Sequence, residues 1–219
     1  MSVLVVGISH KSAPVELLEK LALDGEGTTK LIADVMGGDH VSEATAIVTC
    51  NRLEVYAEVD RFHGSVEDLS GLLVARAQQS TEALLPHLYV HYDEGAVSHL
   101  FQVAAGLDSM VVGEGQILGQ TREALRVGQE HGTVGPALNT LFQQALRVGK
   151  RAHAETDIDR AAPSLVTAAL ERSTVPVDEL ATADIVISCT GAPEPLVRLG
   201  DVVTARGSSD RPLTVIDLA

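Results

Sequence analysis

The sequence predicts an α+β region, then a long helical region, then an incomplete α/β region. Three observations lead to this fold class. Apolar, β-branched runs alternate with helical patterns over residues 1–93, helical patterns dominate residues 94–160, and fully apolar runs return within residues 161–219. The chain has 219 residues, of which 45% are hydrophobic. It is therefore long and apolar enough to bury a proper core.

The first region, residues 1–93, is predicted to contain four strands and two helices. Pro14 suits the first turn of a helix that leucines at helical spacing continue to residue 23. Residues 53–59 alternate between apolar and polar side chains, so this strand is expected to have one solvent-facing side. The other predicted elements are strands over residues 3–8, 44–48 and 88–92 and a helix over residues 66–79. This order of elements is typical of a ferredoxin-like α+β domain.

The second region, residues 94–160, is predicted to be the helical part of the same domain and the start of a linker helix. A glycine-punctuated segment over residues 106–119 interrupts the helical pattern. The predicted helices cover residues 96–105, 120–131 and 136–153, and a helical pattern resumes after Pro163 as far as Arg172.

The third region, residues 161–219, is expected to hold the end of the linker helix and the remnant of a Rossmann-like domain. Fully apolar strands are predicted over residues 183–192 and 212–219, as in a doubly wound nucleotide-binding domain. No G-x-G-x-x-G fingerprint follows any predicted strand.

Composition narrows the classes of function. The net charge of −14 argues against a protein that binds nucleic acid by its overall charge. A local basic face remains compatible with that charge, and Arg147, Lys150 and Arg151 form a candidate. Two cysteines cannot build a disulfide framework, so a reduced, cytoplasmic protein is expected. No apolar run reaches the roughly 18 residues of a membrane span, and no metal site is predicted.

Cys50 is the strongest candidate for a nucleophile. It follows a predicted strand and lies in a turn beside Asn51 and Arg52. A thiol near a guanidinium group ionises more easily, and the thiolate is the reactive form. A buried structural role remains the alternative, because free cysteines are often buried. For Cys189, inside an apolar run, the structural role is favoured.

Two further features are candidates for chemistry. His99 lies on the predicted helix that leads into the glycine-punctuated segment, where a histidine can act as an acid or base. Residues 113–120 contain three Gly, two Gln and one Glu, which can bring amide groups close to a polar ligand. The alternative for this segment is a plain connector. His10 is ambiguous, and surface or structural roles are expected for His40, His63, His87 and His131.

Three segments together resemble the signature blocks of glutamyl-tRNA reductases. They are GISHKSAP at residues 7–14, TCNRLE at residues 49–54 and GLDSMVVGEGQILGQ at residues 106–120. Residues 147–160 also fit the family. The resemblance covers the chain from residue 1 to about residue 172 and resumes from about residue 175 to residue 219.

This resemblance implies NADPH-dependent reduction of glutamyl-tRNA(Glu) to glutamate-1-semialdehyde, the first step of tetrapyrrole (porphyrin, haem) synthesis. It implies that Cys50 attacks the glutamyl ester to give a thioester, and that His99 is an acid-base partner or positions the ester. The fork of Arg52 suits the substrate carboxylate, and the alternative is a structural pair with Glu54. The substrate-binding positions it implies are Thr49, Arg52, Ser109, Glu114, Gln116 and Gln120, and the weak cofactor contacts are Thr190 and Gly191.

The sequence departs from the family pattern in two places. Residues 171–173, at the end of the predicted linker helix, are followed at once by residues 174–180. The phosphate-binding turn and the early strands of the NADPH domain, which the family has between them, are missing. The family also implies a homodimer and contact with the next pathway enzyme, glutamate-1-semialdehyde aminomutase, but its dimerisation helices are absent here. Two alternatives therefore stay open: a remnant that hydrolyses the glutamyl thioester, and a non-catalytic module that binds charged tRNA or a partner protein.

Overall fold

The computed structural model describes residues 2–156, 158, 180–188, 199–207 and 211–217. The chain forms two compact units, Met1–Ala161 and Ala162–Ala219. All but two of the predicted site residues lie in the first unit; Thr190 and Gly191 lie outside the described residues.

The first unit is built on a four-stranded antiparallel sheet with the strand order β2-β3-β1-β4. The strands are β1 (Ser2–Ser9), β2 (Val41–Val48), β3 (Arg52–Val59) and β4 (Tyr89–Tyr92). The connecting helices are α1 (Val15–Lys20), α2 (Gly25–Met36), α3 (Phe62–Ala77) and α4 (Thr81–Leu84), the last followed by a 3-10 turn over Leu85–His87. This confirms the predicted α+β class, and the strand order is that of a split βαβ arrangement.

One helix of this layer was missed by the sequence analysis. The helix predicted to run from residue 15 to residue 23 ends at Lys20, and α2 begins at Gly25. The Asp24 carboxylate caps α2 by accepting a hydrogen bond from the Gly27 backbone N–H at 2.7 Å. Two glycines in the first turn have low helix propensity, which hid this start. Burial of Leu31, Ile32 and Val35 stabilises the helix.

A second helical layer covers the other face of the sheet. It consists of α5 (Glu94–Ala104), α6 (Gln116–Glu130) and α7 (Pro136–Glu155). Val5, Ile47 and Tyr56 pack against these helices, while Leu4, Val6 and Val55 face the first layer. The expected solvent-facing side of strand 53–59 is therefore wrong. On this side Glu54 is covered by the second layer and is 0% exposed, and Glu58 is half-buried.

The start of α6 also differs from the prediction. The helix begins at Gln116 instead of residue 120, so the last residues of the glycine-punctuated segment predicted to interrupt the helical pattern are helical. Ile117 and Thr121 of α6 are buried, and their packing outweighs the low helix propensity of Gly119. The predicted helix over residues 136–153 is confirmed as α7. The pattern over residues 163–172 lies outside the described residues.

The second unit contains a two-stranded parallel sheet of β5 (Ile185–Ser188) and β6 (Thr214–Asp217) with the helix α8 (Leu199–Arg206). Arg206 donates from Nη1 to the backbone oxygens of Leu180 and Ala183 at 3.0 and 2.8 Å. Parallel pairing agrees with the predicted strands, whereas the Rossmann-like assignment remains a prediction. Among the described residues, no helix has the length and apolar character needed to cross a membrane.

Candidate active site at the turn between β2 and β3

A tight turn presents Cys50 at one end of the sheet. The Thr49 hydroxyl oxygen accepts hydrogen bonds from the backbone N–H groups of Asn51 and Arg52 at 3.0 and 3.1 Å. The Thr49 N–H donates to the Arg52 carbonyl at 2.9 Å, which closes the three-residue link. The Cys50 side chain is exposed, so a buried structural role for this cysteine is excluded. Cys189 lies outside the described residues.

A small cleft adjoins this turn and collects the predicted substrate residues. Its enclosed volume is about 30 Å³, enough to hold an ordered water molecule. The flexible side chain of Met110 forms part of its wall. The other lining residues are Thr49, Cys50, Asn51, Arg52, Ser109, Glu114, Gln116, Ile117 and Gln120. All six positions that the resemblance implied for substrate binding therefore line one cleft with Cys50.

The segment before α6 is fixed by two glycines. Gly106 and Gly113 have φ values of +76° and +87°, which side chains rarely adopt. The Gly113 N–H donates to the Gly106 carbonyl at 3.0 Å. A Cβ atom at Gly113 would lie 2.2 Å from the Ile158 carbonyl oxygen. Only glycine fits this closed loop, which places Ser109 and Glu114 at the cleft.

Arg52 joins the sheet to this loop. Its side chain is buried, and Nη1 donates to Glu54 Oε1 at 2.8 Å and lies 3.1 Å from Asp108 Oδ2. Nη2 donates to the Asp108 carbonyl at 2.6 Å. Burial lowers the pKa of Arg52, but Glu54, Tyr89 and Asp108 raise it more. The guanidinium group is therefore a structural cation that also lines the cleft.

Glu54 is the acceptor at the centre of a buried polar cluster that the sequence analysis did not identify. Its carboxylate accepts hydrogen bonds from Arg52, from Tyr56 OH at 2.7 Å and from Tyr89 OH at 2.5 Å. His99 Nε2 lies 2.8 Å from Glu54 Oε1. Burial raises the pKa of Glu54, but His99 and Arg52 lower it more, to about 2. Alternation of Arg52, Glu54 and Tyr56 on one strand face was the available signal.

His99 belongs to this cluster and is not among the residues that line the cleft. It lies on α5, and its ring stacks on His91 with centroids 4.2 Å apart. Burial and the neighbouring His99 lower the pKa of His91. The ambiguous His10 lies beside the turn, where its backbone N–H donates to the Asn51 carbonyl at 2.9 Å. Burial and the nearby Arg52 lower the pKa of His10.

The polar cluster is a poor site for a metal ion. Glu54, His99 and Asp108 offer ligand atoms within 4.8 Å of one another. The guanidinium group of Arg52 contacts both carboxylates and already neutralises part of their charge. A second cation would be repelled by it.

Comparisons with known proteins identify the family of this chain. A family model described as "Glutamyl-tRNAGlu reductase, N-terminal domain" matches residues 6–156. The chain is 69% identical over 217 residues to "Glutamyl-tRNA reductase 1" of Nocardioides sp. strain JS614, a match that covers 99% of this chain and 50% of that protein. It is 57% identical over 172 residues to the glutamyl-tRNA reductase of Streptomyces avermitilis, covering 78% of this chain and 30% of that protein.

The chain is also similar to a solved structure of a glutamyl-tRNA reductase. The glutamyl-tRNA reductase from Methanopyrus kandleri matches with a TM-score of 0.60 and 27% sequence identity, over 99% of this chain and 49% of that one. The chain thus spans half or less of the length of these relatives. The chain belongs to the glutamyl-tRNA reductase family and contains its N-terminal domain region.

Proposed function

We propose that this chain performs the acyl-transfer chemistry of a glutamyl-tRNA reductase. Cys50 takes the glutamyl group from glutamyl-tRNA(Glu) as a thioester. The observation that supports this best is the position of the exposed Cys50 thiol in a cleft with Thr49, Ser109, Glu114 and Gln116. Bound NADPH would supply the hydride that reduces such a thioester to glutamate-1-semialdehyde, the first step of tetrapyrrole synthesis.

The transfer step balances with the groups at the cleft. The Cys50 thiol gives up its proton, its sulfur forms a bond to the ester carbonyl carbon, the carbon–oxygen bond to the tRNA breaks, and the 3′ oxygen leaves with that proton. The Ser109 hydroxyl and the Gln116 amide are hydrogen-bond donors that suit the polar glutamyl group. Met110 has a flexible side chain in the cleft wall, which can adjust to the shape of a bound glutamyl group.

Arg52 and His99 take different roles from Cys50 in this proposal. The contacts of Arg52 with described residues use Nη1 and Nη2, and two carboxylates already pair with its charge, which leaves the Nε–H group to donate to the substrate carboxylate. His99 is bonded to Glu54 and does not line the cleft. We therefore propose that His99 is a positioning residue, which orients Arg52 through the Glu54 carboxylate.

The remaining assignments follow from family membership. We propose that residues 1–93 and 94–160 form the catalytic domain and the start of the linker helix, and that residues 161–219 belong to the NADPH-binding domain. The proposed setting is the cytoplasm, with glutamyl-tRNA(Glu) as substrate. Homodimer formation and contact with glutamate-1-semialdehyde aminomutase are the proposed assemblies of the full-length enzyme.

Mass spectrometry of the intact protein tests the acyl transfer. After incubation with glutamyl-tRNA(Glu), the parent chain should carry a glutamyl adduct that hydroxylamine removes. Cys50→Ser should carry none, because a serine hydroxyl without a strong base is a far poorer nucleophile. Cys189→Ser is the matched control and should keep the adduct. Equal loss in both variants would contradict the assignment of Cys50, and free glutamate without an adduct would favour hydrolysis.

A further inference from the structure

A second cavity lies beside the Cys50 cleft. Its volume is about 160 Å³. Gln120 lines both cavities, and Val48, which lines the second, directly precedes Thr49 of the cleft. The other lining residues come from α2, β2 and α6 and are Gly25, Thr28, Ala46, Glu123, Ala124 and Val127.

We propose that this cavity binds the 3′-terminal adenosine of the aminoacylated tRNA. The inference rests on the proposed function, because it requires that the glutamyl group lie in the Cys50 cleft. The ester joins the carbonyl carbon attacked by Cys50 directly to an oxygen of the terminal ribose. The ribose must therefore lie immediately outside the cleft, and the base one ring further. A cavity that shares a wall residue with the cleft meets this requirement.

The chemistry of the walls suits a purine. Ala46, Val48, Ala124 and Val127 offer aliphatic surface for the faces of the base. The side-chain amide of Gln120 makes no hydrogen bond with any residue that the structure describes. One amide carries both a donor and an acceptor, and glutamine pairs with adenine through N6 and N7 in this way.

The two other polar side chains of the cavity are already engaged. The Thr28 hydroxyl donates to the Asp24 carbonyl at 2.8 Å, so it can only accept further bonds. Glu123 forms an ion pair with Arg126 at 2.5 Å. Gln120 is therefore the side chain best placed to form hydrogen bonds with the adenine base.

The larger groove on this unit does not suit a nucleotide. It lies between α2 and α3, and its walls include four carboxylates. They are Asp34, Asp39, Glu67 and Asp68. Arg76 pairs with Asp34 at 3.2 Å, and the three other carboxylates repel the phosphates of an RNA strand. The cavity beside Gln120 contains a single carboxylate, that of Glu123, and Arg126 pairs with it.

Gly25→Leu tests the cavity without disturbing the backbone. A Cβ atom at Gly25 meets nothing within 4 Å, so the backbone tolerates a leucine at this position of the cavity wall. Gly71→Leu is the matched control, because Gly71 is also open at Cβ and lies on α3, at the other groove. Two small esters report on the two sites: 3′-O-glutamyl-adenosine carries the nucleoside, and glutamate α-ethyl ester does not.

The rate of Cys50 acylation by each ester is read from the mass of the intact chain. Gly25→Leu should slow acylation by glutamyl-adenosine about tenfold and leave the ethyl ester rate nearly unchanged, as expected when one hydrophobic contact surface is altered. Gly71→Leu should change neither rate. An equal effect on both esters, or none on glutamyl-adenosine, would overturn the nucleoside site.

Equilibrium dialysis with adenosine 5′-monophosphate separates this inference from the proposed function. The parent chain and Gly71→Leu should bind the nucleotide, and Gly25→Leu should bind it about tenfold more weakly. Nucleotide binding without any acylation by either ester would remove the proposed acyl transfer and keep the nucleotide site. Acylation by both esters together with equal nucleotide affinity in all three chains would keep the proposed acyl transfer and remove the nucleotide site.

Discussion

At the scale of single residues, Glu54 determines how the site is held together. Its carboxylate accepts hydrogen bonds from Arg52, Tyr56 and Tyr89 and contacts His99, while no part of it reaches solvent. A buried carboxylate with a full set of donors is stable only as long as all partners remain. The cluster therefore links the position of Arg52 at the cleft to the interior of the fold.

Glu54→Gln should destabilise the first unit by about 3 kcal/mol, because it removes the fully buried one of the two carboxylates that pair with the buried Arg52 guanidinium. Urea unfolding of the chain at neutral pH measures this loss. Glu58→Gln is the control, since Glu58 lies on the same strand, is half-buried and accepts from Ser42 Oγ at 2.8 Å. Similar midpoints for the two variants would show that the charge of Glu54 contributes little.

The low pKa of Glu54 predicts a pH dependence of stability. The pKa lies near 2 in the folded chain, compared with 4.5 for an unperturbed carboxyl. A lowered pKa stabilises the fold above the unfolded value, and this contribution is lost as the pH falls from about 4.5 to about 2. We expect the free energy of unfolding to drop by about 3 kcal/mol over this range in the parent chain. Urea titrations at several pH values should give a flatter profile for Glu54→Gln.

The residues of the cleft were predictable from the sequence, whereas their supporting contacts were not. Cys50, Ser109 and Gln116 stand in contiguous motifs, so a resemblance identifies them. Glu54 lies inside one of these motifs, but its role depends on Tyr89 and His99, which are distant in sequence. Contacts between such distant residues follow from the packing of α5 against the sheet, and no local sequence pattern predicts this packing.

At the scale of secondary structure, α7 begins at a carboxylate supplied by the sheet. Glu43 is on β2 and is 5% exposed. Its two carboxylate oxygens accept hydrogen bonds from the backbone N–H groups of Ala137 and Leu138 at 3.0 and 2.7 Å. These N–H groups have no partner within the helix, and a negative charge here also suits the helix dipole. Pro136 occupies the first helical position, where its missing N–H is not required.

Glu43→Ala should destabilise the first unit by about 2 kcal/mol, at the upper end of the range for helix caps, because both N–H groups are left without an acceptor. The midpoint of urea unfolding, followed by circular dichroism, measures the change. Asp24→Ala provides the comparison, since Asp24 caps α2 through one exposed hydrogen bond. A smaller loss for Glu43→Ala than for Asp24→Ala would contradict this account.

The elements themselves were partly predictable. The pattern of apolar residues located the strands and α7, whereas α3 begins at Phe62, before its predicted start at residue 66. The whole of α2 and the start of α6 were missed, since glycines occupy the first turns and tertiary burial decides the outcome. The buried polar face of β3 was also missed, because alternating polarity is equally compatible with solvent and with a second layer of helices that satisfies the polar groups.

At the scale of the whole molecule, the sequence predicts weak binding of NADPH. A dinucleotide is held by backbone N–H groups at a glycine-rich turn and the helix that follows. No such turn follows a predicted strand in this sequence. The chain should therefore bind NADPH weakly or not at all in a calorimetric titration. Micromolar affinity for NADPH would contradict the prediction.

The contact between Glu43 and α7 also has a consequence for synthesis of the chain. Glu43 and Ala137 are separated by 94 positions. Because translation proceeds from the N-terminus, Glu43 leaves the ribosome long before α7 does. The acceptor can therefore already stand in a formed sheet when the first turn of α7 emerges. A peptide that begins at residue 94 would carry the same helix sequence without its acceptor, and its first turn should fray.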